Sequence, residues 1–559
     1  MRFHRITLPK GDKLLLSSRQ SKRGHSDRLS FPLLSWSAPK SSTCEPSSGF
    51  RQASSLAHHL CNHPINHLVD HPLNPLFHHA TNRKINLSTK SLFRATTTPC
   101  RWDAVRSFGA RSTLTSAIAD TVEESSQSET DQRRTQQARP DVEKASSAYI
   151  HIPFCKRRCH YCDFPIQVVG SRPENEAVAE GMERYVDTVC QEIDVTRAAA
   201  DPASFEPLRT VFFGGGTPSL LPPRLLDRLL KKLEHNFGIQ SDAEISVEMD
   251  PGTFDDDKLR AFMSTGVNRL SMGVQGFQDD LLRQCGRSHG LADVHSAIET
   301  VHRSGLSNWS LDLISSLPHQ TPELWQHSLD QAVQASPSHV SVYDLQIEEG
   351  TAFGRWFKPG EGPLPGDDVA AGMYRQAVAT LTAAGYGHYE ISNYAKAGYE
   401  CRHNCVYWNG APYFAFGLGA ASYINRQRFS RPRKMAEYPK WVQQYAASRG
   451  VIDWPEDGPE ERLLDRLMLR LRLAEGVDLK ALKDEFGEEA AQAVCKGLAP
   501  FVASGHVIPS EPAASNGPRG KENGVTLSLH STVRLSDPEG FLLSNEILST
   551  LFAQLPNES

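Results

Sequence analysis

The stretch "YIHIPFCKRRCHYCDF", residues 149–164, places Cys155, Cys159 and Cys162 on one short loop directly after a run of β-favouring residues, 149–152. That run predicts a strand. A disulfide between two of the thiols would leave the third without a partner, whereas three thiolates at C-x3-C-x2-C spacing can turn inward to one metal centre. A structural zinc site usually has four ligands, and no fourth Cys or His with paired spacing follows. Three thiolates on a 4Fe-4S cluster instead leave one iron open to an exogenous ligand.

Five further β-rich runs follow the first, with amphipathic stretches between them: "TVFFGG" (210–215), "EISVEMD" (244–250), "RLSMGVQ" (269–275), "WSLDLI" (309–314) and "HVSVYDLQ" (339–346). Strict alternation of strands and helices predicts a parallel sheet with right-handed crossovers, either an open doubly wound sheet or a barrel. Both architectures collect their chemistry at the carboxyl ends of the strands. The cysteines and the polar or glycine residues of these runs fall at or near those ends.

Charge is distributed unevenly along the 559 residues. Residues 1–119 contain 17 Lys and Arg against 5 Asp and Glu, although the net charge of the whole chain is −5. This segment is rich in Ser, Arg, His and Asn, as transit peptides are; the alternative interpretation is a disordered basic arm. Residues 120–147 are polar and acidic, which is typical of a linker. No apolar run reaches the length that spans a bilayer, so we expect no membrane span.

The alternation of strands and helices fades near residue 358. Residues 359–456 then form a linking segment, and residues 457–559 show a helix-helix-helix-wing order that predicts a winged-helix-like domain. Such domains often bind DNA, but no basic recognition stripe is evident. We therefore expect no nucleic acid partner and a packing or lid role for this domain.

The cysteine loop, with Tyr161 just before the last cysteine, resembles the radical S-adenosylmethionine superfamily. The resemblance implies a partial (β/α)6 TIM-type barrel over residues 148–358, with a 4Fe-4S cluster on Cys155, Cys159 and Cys162. In that family the open iron takes the amino and carboxylate groups of S-adenosylmethionine, and an electron from the cluster cleaves the C–S bond. The protein contributes ligation, orientation and dryness, while the cofactor carries the radical chemistry.

The resemblance continues into the coproporphyrinogen oxidase-like branch of the superfamily, where it implies a set of S-adenosylmethionine contacts. These are Tyr149, Tyr161, Gly215, Gly216, Thr217, Glu248, Gln275, Arg287 and Asp312. Taken one by one, they have other interpretations: the glycines of "FFGGGTPS" form a tight turn, Glu248 belongs to a structural ion pair, and the rest are ordinary strand-end polar residues.

Two kinds of protein in this branch share the scaffold. Oxygen-independent coproporphyrinogen III oxidase, HemN, decarboxylates porphyrin propionates to vinyl groups, and HemW is regarded as a haem-binding chaperone. HemN carries a further cysteine two residues after the third ligand, where this chain has Phe164. The polar linker that ends almost at Tyr149 also differs from the ordered N-terminal arm of HemN. In addition, "CRHNCVYW" (401–408) contains H-N-x-x-Y-W, the pattern associated with haem handling in HemW-like proteins.

His403 is the haem-binding candidate. A neutral imidazole is a common axial ligand of haem iron, and Tyr407 and Trp408 can cover a porphyrin face. The alternative is a packed, hydrogen-bonded core histidine. Cys401 and Cys405 bracket His403 and form either a second metal site or haem thiolate, or are ordinary buried cysteines.

These features favour a HemW-type radical S-adenosylmethionine protein imported into a chloroplast or mitochondrion, with haem as cargo. The expected partners are haem or a porphyrin, haem-accepting proteins and an electron donor. The first alternative is an oxygen-independent coproporphyrinogen III oxidase. The second is a radical enzyme of unrelated substrate on the same scaffold.

Overall fold

The computed structural model describes residues 144–172, 175–452, 454–510 and 527–555. The expected transit peptide, 1–119, lies outside the described residues, as does the expected linker up to residue 143. The first strand begins at Ala145, three residues before the expected start of the barrel at residue 148. None of the helices in the described ranges is long and apolar enough to cross a membrane.

The described strands, in chain order, are β1 (Ala145–Ile152), β2 (Phe154–Cys155), β3 (Gln167–Val168), β4 (Phe205–Gly215), β5 (Ile239–Met249), β6 (Arg269–Gln275), β7 (Trp309–Ser315), β8 (His339–Asp344), β9 (Gly387–Glu390), β10 (Asn393–Ala395), β11 (Phe414–Phe416), β12 (Ala421–Ile424), β13 (Gln427–Ser430), β14 (Val477–Asp478), β15 (Val507–Ser510) and β16 (Thr532–Leu535).

The described α-helices are α1 (Glu176–Ala199), α2 (Pro223–Phe237), α3 (Asp256–Ser264), α4 (Asp279–Gln284), α5 (Leu291–Ser304), α6 (Pro322–Ala335), α7 (Ala352–Trp356), α8 (Asp367–Ala383), α9 (Arg402–Trp408), α10 (Tyr438–Ala447), α11 (Pro459–Arg470), α12 (Leu479–Phe486), α13 (Glu488–Ala503), α14 (Glu539–Leu542) and α15 (Ser544–Phe552).

One sheet organises the first part of the molecule, with the strand order β11-β1-β4-β5-β6-β7-β8-β10-β9. The six expected strands, β1 and β4 to β8, are parallel neighbours in this sheet; Ile150 lies opposite Phe213, and Leu311 opposite Val340. The outer two of the six, β1 and β8, pair with β11 and β10 instead of with each other. The structure therefore confirms the partial (β/α)6 barrel.

The expected boundary at residue 358 does not coincide with a break in this sheet. β11 pairs in parallel with β1, while β10 pairs antiparallel with both β8 and β9. These additions from the linking segment cover the two edges that the open barrel would otherwise expose. Strands of three or four residues carry too little periodicity to be read from the sequence.

Helix α2 shows how the chain encodes its outer layer. Prolines occupy its N-cap and first position, and its C-cap is Gly238 at φ 75°. The leucines of one face are buried against the sheet, as are the outward-facing apolar residues of the strands; they are Leu225, Leu226, Leu229, Leu230 and Leu233. The main apolar core therefore lies between the sheet and its surrounding helices.

The inner face of the barrel is polar by contrast. Alternation along the strands directs charged and hydroxyl side chains inward, among them Thr210, Glu244, Glu248, Arg269, Ser271, Asp312, His339 and Ser341. A barrel interior usually consists of packed branched apolar residues. The polar lining of this barrel therefore offers hydrogen-bonding groups to a ligand.

The C-terminal part has a core of its own. Its elements follow the order α11, β14, α12, α13, β15, β16, and its sheet is antiparallel in the order β14-β16-β15. This is the order expected for a winged-helix-like domain. Two further helices, α14 and α15, complete the described part of it.

Candidate functional site

The three cysteines of the opening stretch line one cleft. Cys155 lies in β2 and is buried, whereas Cys159 and Cys162 lie in the following loop and are partly exposed. The cleft opens at the carboxyl ends of the strands and, including its solvent-open mouth, encloses about 1380 Å³. Burial raises the pKa of the Cys155 and Cys162 thiols, that of Cys162 to about 12. Metal binding here therefore releases protons from these groups.

The cleft also contains most of the expected S-adenosylmethionine contacts. Eight of the nine line it: Tyr161, Gly215, Gly216, Thr217, Glu248, Gln275, Arg287 and Asp312. No three His, Cys, Asp or Glu side chains in the described part of the chain lie close enough to chelate a single metal ion, the cysteines included. A 4Fe-4S cluster does not require the three thiolates to converge on one ion, because each thiolate binds a different iron. The donor set and the open space beside it fit a cluster with a ligand next to it.

Arg287 connects the cysteine loop to the sheet. Its Nη2 atom donates to Asp250 Oδ1 at 2.7 Å and to the carbonyl oxygen of Gly273 at 2.9 Å. Its Nη1 atom donates to the Tyr161 hydroxyl at 3.0 Å and lies 3.4 Å from Cys159 Sγ. The side chain is only 7% exposed, so these interactions are shielded from solvent. The guanidinium thus fixes the loop against the ends of β5 and β6.

Asp250 is a site residue that the sequence reasoning missed. Besides Arg287 it accepts a hydrogen bond from Thr217 Oγ1 at 3.4 Å, and Thr217 Oγ1 also lies 3.6 Å from Cys155 Sγ. The available signal was a second carboxylate two residues after Glu248, at the same strand end. Asp250 therefore supports two of the groups around the cysteines.

Close packing requires glycine at the end of β4 and at the residue that follows it. Gly215 has φ 111°, and a Cβ there would collide with the imidazole of His151. A Cβ on Gly216 would lie 2.8 Å from the carbonyl carbon of Pro153. The Gly216 N–H donates to the carbonyl oxygen of Ile152 at 2.9 Å. Glycine therefore allows the end of β4 to lie directly against the start of the cysteine loop.

Glu248 and Asp312 face the cleft as a pair of shielded carboxyl groups. Glu248 Oε2 accepts the Gly215 N–H at 2.9 Å, and Asp312 accepts from the hydroxyls of Ser271 at 2.9 Å and Ser310 at 3.0 Å. Burial raises the pKa of both, that of Glu248 to about 8. Both groups can exchange hydrogen bonds with the hydroxyls of a bound ligand.

Gln275 reaches the cleft through an irregularity in β6. The register with β7 shifts between Gly273 and Gln275, and Gln275 has φ 69°. A bulge of this kind redirects a side chain at the end of a strand. It places the Gln275 side chain in the cleft lining.

Tyr149 is the one expected cofactor contact that does not line the cleft. It borders a smaller space deeper in the barrel, which we call the inner chamber. The Tyr149 ring stacks on Phe212 at 6.2 Å between centroids, and its hydroxyl lies 3.2 Å from Nδ1 of His151. Phe164, which occupies the position of the additional HemN cysteine, lines both spaces.

His403 lies at the base of the barrel, on α9. Its Nδ1 is 2.7 Å from Thr210 Oγ1, its Nε2 is 2.8 Å from the Tyr407 hydroxyl, and its ring stacks on Phe212 at 5.2 Å. Burial lowers the pKa of the imidazole to about 3, so the ring is neutral. Both ring nitrogens are therefore hydrogen-bonded in this structure, and iron ligation requires the release of one of them.

Glu244 holds α9 in this place and was also missed from the sequence. Its carboxylate accepts the backbone N–H groups of Arg402 at 3.3 Å and His403 at 3.2 Å, and the Cys401 thiol lies 3.8 Å away. Burial raises the pKa of the Cys401 and Cys405 thiols to about 12, which favours neutral thiols. Nothing in the spacing of the sequence pairs Glu244 with a helix more than 150 residues away.

Family models match two parts of the chain. The Radical SAM superfamily matches residues 149–332, and the HemN C-terminal domain matches residues 458–510. The first covers most of the barrel, and the second begins at the start of α11.

Two relatives match over nearly their whole length. The chain is 43% identical over 413 residues to the heme chaperone HemW of Synechocystis sp., which covers 74% of this chain and 98% of that protein. It is 35% identical over 412 residues to the heme chaperone HemW of Bacillus subtilis, covering 73% of this chain and 100% of that protein.

Among solved structures, coproporphyrinogen III oxidase (HemN) from Escherichia coli, described as a Radical SAM enzyme, matches 74% of this chain and 91% of its own. The TM-score is 0.60 at 23% sequence identity. At that identity the match supports the fold alone.

Proposed function

The chain belongs to the HemW family of radical S-adenosylmethionine proteins, and on that premise we propose that it is a haem chaperone, which binds haem and passes it to acceptor proteins. The observation that carries the proposal is the similarity over almost the full length of proteins named heme chaperone. The position of Phe164 supports it, because a side chain with no ligand atom faces the cleft at this point.

We propose Cys155, Cys159 and Cys162 as the ligands of a 4Fe-4S cluster, with S-adenosylmethionine beside it in the cleft. When bound, the reduced cluster supplies the electron that cleaves the C–S bond of S-adenosylmethionine. An electron donor is therefore a proposed partner, together with the haem acceptors.

The chain's own residues prepare the cleft for these groups. Arg287 holds the cysteine loop through Asp250 and Tyr161, so the positions of the thiols do not depend on the loop alone. Glu248 and Asp312 offer hydrogen-bonding oxygens to ligand hydroxyls in a shielded setting. Pre-organised polar groups of this kind bind a ligand without having to rearrange.

We propose His403 as the haem ligand. Both of its ring nitrogens are hydrogen-bonded in this structure, so one of these bonds has to break first. The Tyr407 hydroxyl has to leave Nε2, or Thr210 has to leave Nδ1, before iron can bind the ring. Because the ring is buried inside the barrel base, α9 has to move as well. Haem binding through His403 is thus proposed together with an opening of the base.

The oxidase alternative is less supported. Its signature includes the additional cysteine that Phe164 replaces, and the likeness to the HemN structure carries the fold only. An anaerobic assay for conversion of coproporphyrinogen III decides this point directly.

The deciding experiment is a haem titration of the full chain after anaerobic cluster reconstitution, followed by absorption spectroscopy. The variants are His403→Ala, a triple Cys155→Ser, Cys159→Ser, Cys162→Ser variant, and His289→Ala as a control. His289 is also buried, and its Nε2 is 3.3 Å from the Val274 carbonyl oxygen, but it lines neither space.

We expect haem to bind the unmodified chain and His289→Ala with the same Soret band, and His403→Ala to change it. A Soret band that His403→Ala leaves intact would place the haem elsewhere and give His403 a packing role. If no variant binds haem while coproporphyrinogen III is consumed, the chaperone proposal is wrong and the oxidase is correct. The triple serine variant should lose the broad cluster absorption.

We also propose that the basic segment 1–119 directs import into an organelle, from its composition alone. Residues 1–143 fused to a fluorescent protein test this by microscopy. A diffuse cytosolic signal would contradict it, and co-staining distinguishes chloroplasts from mitochondria.

A further inference from the structure

The inner chamber contains a buried cation that the proposed function does not use. Arg269 is the first residue of β6, its side chain is 2% exposed, and it lines the chamber. Its Nε and Nη1 atoms have no hydrogen-bond partner among the described residues.

Glu244, the carboxylate that forms an ion pair with Arg269, does not satisfy this guanidinium. Its Oε2 atom lies 3.7 Å from Arg269 Nε, which is too long for a hydrogen bond. The same carboxylate accepts the backbone N–H groups of Arg402 and His403. Its oxygens are therefore engaged with α9, and Arg269 keeps donors without acceptors.

The other titratable groups that face Arg269 and the chamber already have partners. Asp312 accepts from serine hydroxyls, His339 contacts Ser310 and Tyr389, and His403 contacts Thr210 and Tyr407. Glu248, at the top of the chamber, accepts the Gly215 N–H. A buried polar group without a partner costs free energy, so an arginine retained here indicates a missing acceptor.

We propose that the inner chamber is a carboxylate-binding subsite, in which the Arg269 guanidinium receives the carboxylate of a ligand. The cleft and the chamber share Glu248, Ser271 and Asp312 as lining residues, so they are adjoining spaces. A guanidinium is planar and matches a carboxylate better than any other side chain does.

The depth of the chamber defines the shape of the ligand. Glu248 lies opposite Ser271 in the sheet, and Arg269 precedes Ser271 by two residues. At about 3.3 Å per residue, Arg269 lies roughly 7 Å deeper than Glu248. The ligand therefore presents its carboxylate on a short flexible arm, or enters the chamber as a small acid.

Two sources supply this chemistry. Haem carries two propionate side chains of suitable form, and this source rests on the proposed function. A free small organic acid does not depend on it. The experiment below distinguishes the two.

The test uses the cluster-reconstituted full chain as the unmodified protein, as Arg269→Lys and as Arg472→Lys. Arg472 is the matched control, because it is likewise fully buried with an unpartnered Nε but lines neither the cleft nor the chamber. Affinity is measured for haem and for haem dimethyl ester, which lacks free carboxylates. The thermal midpoint is measured in sodium propionate against sodium chloride of equal ionic strength.

If haem is the source, esterification should weaken binding to the unmodified chain and to Arg472→Lys by about tenfold. Arg269→Lys keeps the positive charge but loses the planar two-donor fork, so esterification should weaken its haem binding clearly less than tenfold. If a free acid is the source, propionate should raise the thermal midpoint of the unmodified chain and of Arg472→Lys by clearly more than that of Arg269→Lys.

The subsite proposal is overturned if Arg269→Lys and the unmodified chain respond equally to esterification of haem and also respond equally to propionate. Haem binding that persists in that case leaves the chaperone proposal intact, so the two failures are distinguishable. Should Arg269→Lys not fold, Ser341→Leu narrows the same chamber without changing Arg269 and is expected to abolish the same difference.

Discussion

At the scale of single residues, burial rather than residue type determines the behaviour of the cleft. Glu248 is an ordinary carboxylate in the sequence, yet enclosure at the end of β5 raises its pKa to about 8, with Asp312 and Asp250 adding to the shift. Asp312 is shifted in the same direction by burial, although three serine hydroxyls oppose that shift. The site therefore contains carboxyl groups that the fold keeps from ionising freely.

This shift predicts how stability depends on pH. An unfolded glutamate titrates near about 4.3, so between that pH and about 8 the folded chain keeps a proton that the unfolded chain has lost. The folded state then binds more protons, and its stability falls as the pH rises through this window. Glu248→Gln cannot ionise, so its stability relative to the unmodified apoprotein should increase by up to a few kcal/mol from about pH 5 to pH 8.

Thermal unfolding of both apoproteins at several pH values measures this difference. The exposed substitution Glu180→Gln serves as the control and should follow the unmodified protein at every pH. Parallel curves for Glu248→Gln and the unmodified protein would show that the Glu248 carboxyl does not carry the shift.

At the scale of elements, α9 depends on distant parts of the chain for its stability. It has seven residues, too few to be stable alone, and it is held by tertiary contacts at its beginning. Glu244 binds its first two N–H groups, and His403 and Tyr407 pack into the barrel. Trp408, by contrast, belongs to the core of the C-terminal domain. The H-N-x-x-Y-W motif therefore joins the barrel base to that domain.

We expect Glu244→Ala to loosen α9 and to leave Arg269 without its ion-pair partner. Removal of one partner of a buried pair costs about 3–5 kcal/mol. Amide hydrogen exchange should accelerate across residues 402–408 while α1 keeps its protection. Glu244→Gln removes the charge and keeps one acceptor oxygen, so it can cap only one of the two N–H groups and should accelerate exchange less than Glu244→Ala does. Unchanged exchange in α9 after Glu244→Ala would refute the capping role.

At the scale of the whole molecule, two of the ion pairs that join the C-terminal domain to the rest of the chain lie in different environments. Arg428 and Asp465 link β13 to α11 at 2.8 Å, with side chains 15% and 14% exposed. Arg375 and Glu539 link α8 to α14 at 2.7 Å, but both side chains are 47% exposed. Solvent screens the second pair, so the first should contribute more to the attachment than the second does.

Asp465→Asn should therefore destabilise the protein by about 3 kcal/mol or more, because it leaves Arg428 buried and uncompensated. Glu539→Gln should cost less than about 1 kcal/mol. Urea unfolding monitored by tryptophan fluorescence compares the two, with Trp408 as a reporter at the junction. Equal losses in both variants would mean that burial does not distinguish the pairs.

The sequence by itself determined the features that short-range patterns encode. The six parallel strands, the leucine face of α2 and the cysteine loop follow from periodicity and spacing within about twenty residues. Of the nine cofactor contacts that the resemblance to a known family implies, eight line the cleft with the cysteines.

Tertiary structure alone decided which distant residues meet. It placed Tyr149 and His403 in the barrel interior, paired β11 with β1, and brought Glu244 to both α9 and Arg269. The physical reason is that such contacts depend on the burial of side chains from segments far apart in the chain. Periodicity records which face of an element is buried, but not which partner covers it.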